Sequence, residues 1–415
     1  MKIVNVVLTK CISGFYFDDQ IAIKQGCASD GFMYNGDAVT SGFEYIRNPG
    51  EGISIQLILD DQYIAIGDCV AVQYSGVGGR DPIFEINESI SLINEFIVPI
   101  LIGEELNSFR ELSEKYDKLL VNSKRLHTAI RYGITQAILV AVAHAKKKSM
   151  VEVIREEYNI KDLSLERIPI LSQSGDERYL NVDKMILKEV DALPHALINN
   201  VDKKLGREGE ILIEYLQWLK NRILKYRRHN DYNPVIHIDT YGTIGDAFNY
   251  DVQKMVAYIK NLEEIVSPFK LRIEGPVDAS SREETMLILK EMTDILNKES
   301  SVKLVADEWC NSLEDIKEFA SKKAVDMIQI KAPDLGGINN ICEAILFCNK
   351  CGVDAYCGGS CNETDISSRI TTNIAMACGA KLILAKPGMG CDEGYMICKN
   401  EMNRILAIHK EEKKV

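Results

Sequence analysis

From Ile168 onward the chain repeats one rhythm eight times: a short apolar run, then a longer amphipathic stretch. The runs are Ile168–Leu171, Ala192–Ile198, Val235–Asp239, Phe269–Glu274, Val302–Asp307, Met327–Lys331, Val353–Cys357 and Leu382–Ala385. Between them lie helical segments such as EGEILIEYLQWLKNRILKYR and INNICEAILFCNKCG, with apolar residues at three- and four-residue intervals. Eight strands alternating with helices predict a parallel (β/α)8 TIM barrel. An open doubly wound sheet is the rival, but no GxGxxG follows an early strand.

The first 75 residues read differently. GISIQLILDDQYIAIGDCVAVQY holds two strand-like runs around Asp60–Asp61, which predicts a hairpin. From Asn87 to about Tyr158 the pattern is helical. With 415 residues, long for one core, the chain divides into an α+β N-terminal capping domain over 1–160 and a barrel over 161–415.

In such barrels, functional residues sit at the C-terminal ends of strands. Three successive predicted strands end in an acid: Asp239 in VIHIDTYG, Glu274 in LRIEGP and Asp307 in LVADEW. The intervals are 35 and 33 residues, one βα unit each. Neighbouring strands lie about 4.8 Å apart, so the three carboxylates converge. Alone together they resist ionising, and a divalent cation removes that problem. All-oxygen ligands select Mg²⁺ or Mn²⁺ over zinc. Any one such acid is as readily a helix cap or a salt-bridge partner; three in consecutive units point to a metal.

The next strand supplies an amine. In IQIKAPDLGG, Gln329 and Lys331 share one face and the isoleucines the other. A lysine inside a barrel is costly unless neutral or paired. Beside a divalent cation its pKa falls, and it can act as a general base. A structural lysine paired with one of the acids is the alternative. His195, alone on an apolar strand, reads first as a core histidine.

Other features carry less. A net charge of −12 argues against a nucleic-acid surface and gives no polybasic membrane patch. Twelve scattered cysteines suit a reducing compartment, and MKIVNVVLTKCISG resembles a strand more than a signal peptide. ITQAILVAVAHA is too short to span a membrane and reads as a buried helix, so the cytoplasm is the expected address. Cys348 and Cys351, in a CxxC, fall on the far side of a strand from Cys357 and Cys361, which argues against zinc. YSGVGGRDP lacks the lysine of a P-loop and reads as a turn with a lid role open to it. LKYRRHND reads as a solvated helix end.

Together, IHIDTYGTIG, RIEGPVD, LVADEWCN, IQIKAPDLGGINN, YCGGSCNET and AKPGMGCDEG resemble the methylaspartate ammonia-lyase family, a branch of the enolase superfamily. The resemblance covers the whole barrel half, and YSGVGGRDPIF extends it into the first domain. It implies elimination of ammonia from L-threo-3-methylaspartate to give mesaconate, in glutamate catabolism. It implies Mg²⁺ on Asp239, Glu274 and Asp307, K⁺ as a monovalent activator, and a homodimer. Lys331 would match the base, paired with Mg²⁺ as enolase-superfamily sites pair them. His195 would match the residue on the opposite substrate face, serving the other diastereomer. Gln173, Gln329, Ser360 and the backbone of Cys361 would match substrate-binding positions. The family usually has threonine where this chain has Ser360; the hydroxyl is kept and a methyl lost. Many other enolase-superfamily branches carry Lys-x-Lys on the second barrel strand, where this chain has PHALI. Those activities and a catalytically silent barrel are the competing readings.

Overall fold

The computed structural model describes residues 1–175 and 177–412. Residues 413–415, which end the expected barrel domain, lie outside the described residues.

The chain opens with a three-stranded antiparallel sheet in the order β1 (Ile3–Asp18), β2 (Arg47–Leu59), β3 (Ile64–Cys69). The expected hairpin around Asp60–Asp61 is the β2–β3 turn. Along β2, Ile53, Ile55, Leu57 and Leu59 are fully buried and alternate with more exposed residues, the period of a half-buried strand. That face packs on helix α1 (Thr128–Lys146), which contains the ITQAILVAVAHA segment. Two glycines permit the contact. A Cβ on Gly67 would lie 2.2 Å from the Gly133 carbonyl, and one on Gly133 would lie 2.4 Å from Cys69 Sγ.

Eight parallel strands then close into a barrel in chain order. They are β4 (Ile170–Leu171), β5 (Ala192–Leu197), β6 (Val235–Asp239), β7 (Leu271–Glu274), β8 (Lys303–Ala306), β9 (Met327–Ile330), β10 (Asp354–Cys357) and β11 (Leu382–Leu384). Each lies within or overlaps one of the eight apolar runs. Two apolar populations hold the barrel. Leu171, Ala192, Val305, Met327, Tyr356, Leu382 and Leu384 fill its interior. The outward residues pack under the helices, as where the helix Glu210–Tyr226 buries Leu212, Leu216, Leu219 and Ile223. Each such side chain taken out of water contributes roughly 1.5–3 kcal/mol.

The N-terminal domain docks on the barrel mouth around the loop after β10. Gln73 N donates to Ser360 Oγ at 3.2 Å, and Ser13 Oγ to Asn362 Oδ1 at 2.9 Å. Thr364 Oγ1 donates to Asp68 Oδ2 at 2.5 Å. Cys348 and Cys351 end the helix entering β10, whereas Cys357 ends that strand and Cys361 follows it, so the two pairs lie at opposite rims. No helix among the described residues is long and apolar enough to cross a membrane.

Candidate metal centre and active site

The pairing of parallel strands aligns the acids. Asp239 and Glu274 are register partners at the ends of β6 and β7, and Asp307 follows β8 by one residue. One oxygen from each lies within 4.8 Å of the others, and all three residues are buried. Glu274 Oε2 accepts from His237 Nε2 at 2.5 Å and lies 3.2 Å from His195 Nε2. Glu274 Oε1 accepts from Gln329 Nε2. Asp239 Oδ1 accepts from the Tyr241 amide at 3.2 Å, but its Oδ2 is buried without a hydrogen-bond donor. A buried carboxylate oxygen without a donor, facing two further carboxylates, is the chemistry of a hard divalent-cation site.

The charges bear this out. Burial, then Glu274, pushes Asp239 well above the usual carboxylate range. Burial carries Asp307 up to about 6 even though Lys331 opposes the rise. Burial would raise Glu274 as well, but His195 and His237 hold it below its ordinary value. Burial disfavours charge on His195, yet Glu274 and Asp239 bring it up to about 9. His195, His237 and Glu274 also lie close enough to ligate jointly. Burial holds His237 down at about 4, so it is neutral, and its short contact to Glu274 places the proton on Nε2. That nitrogen is spent on the carboxylate, which leaves the three acids as the ligand set that fits a cation.

Lys331 stands one residue beyond β9, its Nζ 2.8 Å from Asp307 Oδ1 and 3.0 Å from Oδ2. It therefore makes the ion pair of the structural alternative and also faces the cluster. Burial opposes its charge, but in the protein alone Asp307 raises its pKa above the ordinary lysine value. The lowered value expected from sequence requires the cation to neutralise that carboxylate.

His195 enters from the other side. In β5, Pro194 pairs with His237 and Ala196 with Ile238, so His195 is an extra residue bulged from the ladder. Its φ is +44°, a rare backbone state for a non-glycine residue. The bulge turns its imidazole inward. β5 and β9 are four strands apart in a ring of eight, so His195 and Lys331 face each other across the mouth.

Gln173, His195, Gln329, Lys331, Ser360 and Cys361 all line one small cavity, as do Asp239 and Asp307; Glu274 lies beneath it. A larger cleft of about 470 Å³, beside Asp117, Arg125 and Lys317, contains none of these groups. Gln173 Nε2 donates to the Gly388 carbonyl at 3.2 Å, and Cys361 Sγ to Gln73 Oε1 at 3.3 Å.

Three contributors were not read from sequence. His237 lies two residues before Asp239, so strand alternation alone puts it on the inner face. Gln73 and Arg80 come from the N-terminal domain. Arg80 Nε donates to Asp334 Oδ2 at 2.9 Å, and its Nη2 to Glu308 Oε2 at 3.0 Å. These bonds lay the glycine-rich loop over the barrel mouth.

The sequence matches two family profiles, methylaspartate ammonia-lyase N-terminus over residues 1–159 and C-terminus over 162–411. The chain belongs to the methylaspartate ammonia-lyase family. It is 56% identical over 409 residues to methylaspartate ammonia-lyase of Clostridium tetanomorphum, covering 98% of this chain and 99% of that one. A crystal structure of β-methylaspartase from that organism, a magnesium complex, superposes with a TM-score of 0.95, spanning 99% of this chain and 100% of the other. The Citrobacter amalonaticus methylaspartate ammonia-lyase containing (2S,3S)-3-methylaspartic acid is 49% identical, with a TM-score of 0.96 over 99% and 100% of the two chains. As a member of the methylaspartate ammonia-lyase family, this chain is a carbon–nitrogen lyase.

Proposed function

We propose that this chain eliminates ammonia from L-threo-3-methylaspartate to give mesaconate, with Asp239, Glu274 and Asp307 holding Mg²⁺. The observation that carries the reading is the Lys331 amine set against a buried three-acid cluster, with His195 across the same cavity. Bound there, the cation would neutralise a substrate carboxylate and acidify the neighbouring C–H bond.

The neutral amine of Lys331 takes the proton from the methyl-bearing carbon. The electron pair of that C–H bond becomes the new C=C bond, the C–N bond breaks, and ammonia departs. Lys331 then returns its proton to water. His195 faces the opposite side of the substrate, where it binds the threo isomer and serves as base for the erythro isomer. The second carboxylate needs hydrogen-bond donors, and Gln173, Gln329, the Ser360 hydroxyl and the Cys361 amide supply them. Gln73, Tyr74 and Arg80 from the N-terminal domain line the same cavity.

The same reading includes Mn²⁺ as a substitute metal, K⁺ as activator, a homodimer, a cytoplasmic location and a place in glutamate catabolism. It divides the chain near residue 160, between the helix Met150–Glu157 and β4. The test is direct. Methylaspartate supplied with Mg²⁺ and K⁺ should give the ultraviolet absorbance of a conjugated diacid. No signal, with metal and substrate both shown to bind, would sink the proposal.

A further inference from the structure

Beyond the metal cluster the barrel mouth holds a second buried charge pair, to which the proposed chemistry gives no role. Lys386, two residues past β11, and Glu363 are both wholly inaccessible, with Nζ 3.1 Å from Oε1. Nζ also donates to the Gly358 carbonyl at 2.5 Å. The other oxygen of Glu363 accepts from the Tyr132 hydroxyl at 2.8 Å, and Tyr132 is a fully buried residue of α1 in the N-terminal domain.

The loop from Gly358 to Cys361 is moulded around this pair. A Cβ on Gly359 would lie 2.5 Å from Lys386 Nζ and 2.6 Å from Glu363 Oε1. A Cβ on Gly358 would lie 2.5 Å from Gln329 Cγ. The glycines are thus held between Gln329 on one side and the Lys386 ammonium on the other. Ser360 and Cys361 follow directly, and both line the cavity. Burying an ion pair costs free energy that an apolar pair of similar volume would not, so stability alone is a poor reason for one. What an ammonium adds is a fixed direction: it orients one carbonyl and one carboxylate at once.

Resting on the function proposed above, we infer that Lys386, Glu363 and Tyr132 form a positioning triad that sets the substrate-gripping loop Gly358–Cys361 and ties it to the docked N-terminal domain. None of the three touches the metal acids or the base. The triad should therefore act on substrate grip and leave metal binding alone.

The experiment uses the full chain and four variants: Lys386→Met, Glu363→Gln, Tyr132→Phe and the double Lys386→Met/Glu363→Gln. KM and kcat are measured for methylaspartate, Mg²⁺ affinity by calorimetry, and Tm by scanning calorimetry. Each charge-removing single variant should raise KM about tenfold or more, lower kcat far less, and leave Mg²⁺ affinity within about twofold. The double variant buries no lone charge, so its Tm should return towards wild type while KM stays high. Tyr132→Phe should fold normally and raise KM about threefold. Recovery of both Tm and KM in the double variant would reduce the triad to a structural pair and overturn the inference. Should the single variants fail to fold, Tyr132→Phe and the double variant decide, and an unchanged KM in both overturns it too. A wild-type chain that forms no conjugated diacid instead refutes the function on which the triad's role rests.

Discussion

Lys331 Nζ lies 2.8 Å from the nearer oxygen of Asp307, a residue from the preceding βα unit that also belongs to the three-acid cluster. The amine is thus tied to a member of the acid cluster rather than to a counter-ion outside it. Removing it should leave three buried carboxylates with less compensation, and a cation should then bind at least as well. Lys331→Ala is expected to lose activity on the threo substrate by about 10³-fold, the range of a missing general base. Mg²⁺ affinity by calorimetry should be equal or tighter. Near-normal turnover would place the base elsewhere.

His195 occupies a bulge, so its direction is fixed by backbone as well as by its contact with Glu274. If it is the base for the erythro isomer, His195→Ala should cost that isomer about 10²-fold and the threo isomer less. Rates on the two diastereomers check this. Equal losses on both would reduce His195 to a binding role.

Metal binding should be linked to protons, because burial raises both Asp239 and Asp307. With its pKa up at about 6, Asp307 favours the folded metal-free chain at acid pH, and that contribution is lost as pH rises through 6. A bound cation needs the ionised form, so binding releases protons. Mg²⁺ affinity should therefore climb from pH 5 to 7, and the Tm gap between metal-loaded and metal-free protein should widen in parallel. Asp239→Asn should weaken affinity by about tenfold or more, since ligand charge sets affinity at such sites. An affinity flat across this pH range would contradict the proton linkage.

The barrel was legible because burial on both faces writes each strand as an apolar run, and the intervening helices carry the 3.6-residue period. Pairing then trims the runs: Phe269 and Lys270 fall outside β7, and Ile168 and Pro169 outside β4, because the register with the neighbouring strands begins only at Leu271 and Ile170. The acids were legible because a strand end and one βα repeat fix their place. The bulge at His195 was not, since ALPHAL is buried throughout and shows no alternation to break. His237 hid in an otherwise apolar strand, though its spacing from Asp239 marks the inner face. Lys386 gives no local sign, because its partner Glu363 lies 23 residues earlier and is itself bonded to Tyr132 of the other domain.

Arg80 illustrates the same limit and yields a test. Its partners Asp334 and Glu308 lie 254 and 228 residues away, so nothing near YSGVGGRDP announces an ion pair. In the fold it crosses from the N-terminal domain and meets Glu308, next to Asp307, and Asp334, three residues past Lys331. Only 3% of its side chain is exposed, and Asp334 is nearly as buried at 5%. Removing the guanidinium leaves two carboxylates without their cation beside the reacting centre. Arg80→Ala should therefore cost about 3 kcal/mol of stability, within the range for breaking a buried pair. Arg80→Lys keeps the charge but loses the forked geometry, and should recover only part of it. Hydrogen exchange should rise across Val77–Arg80 in both variants as the loop lets go of the barrel. A wild-type denaturant midpoint in Arg80→Ala, with unchanged exchange in that loop, would show that the bonds hold nothing in place.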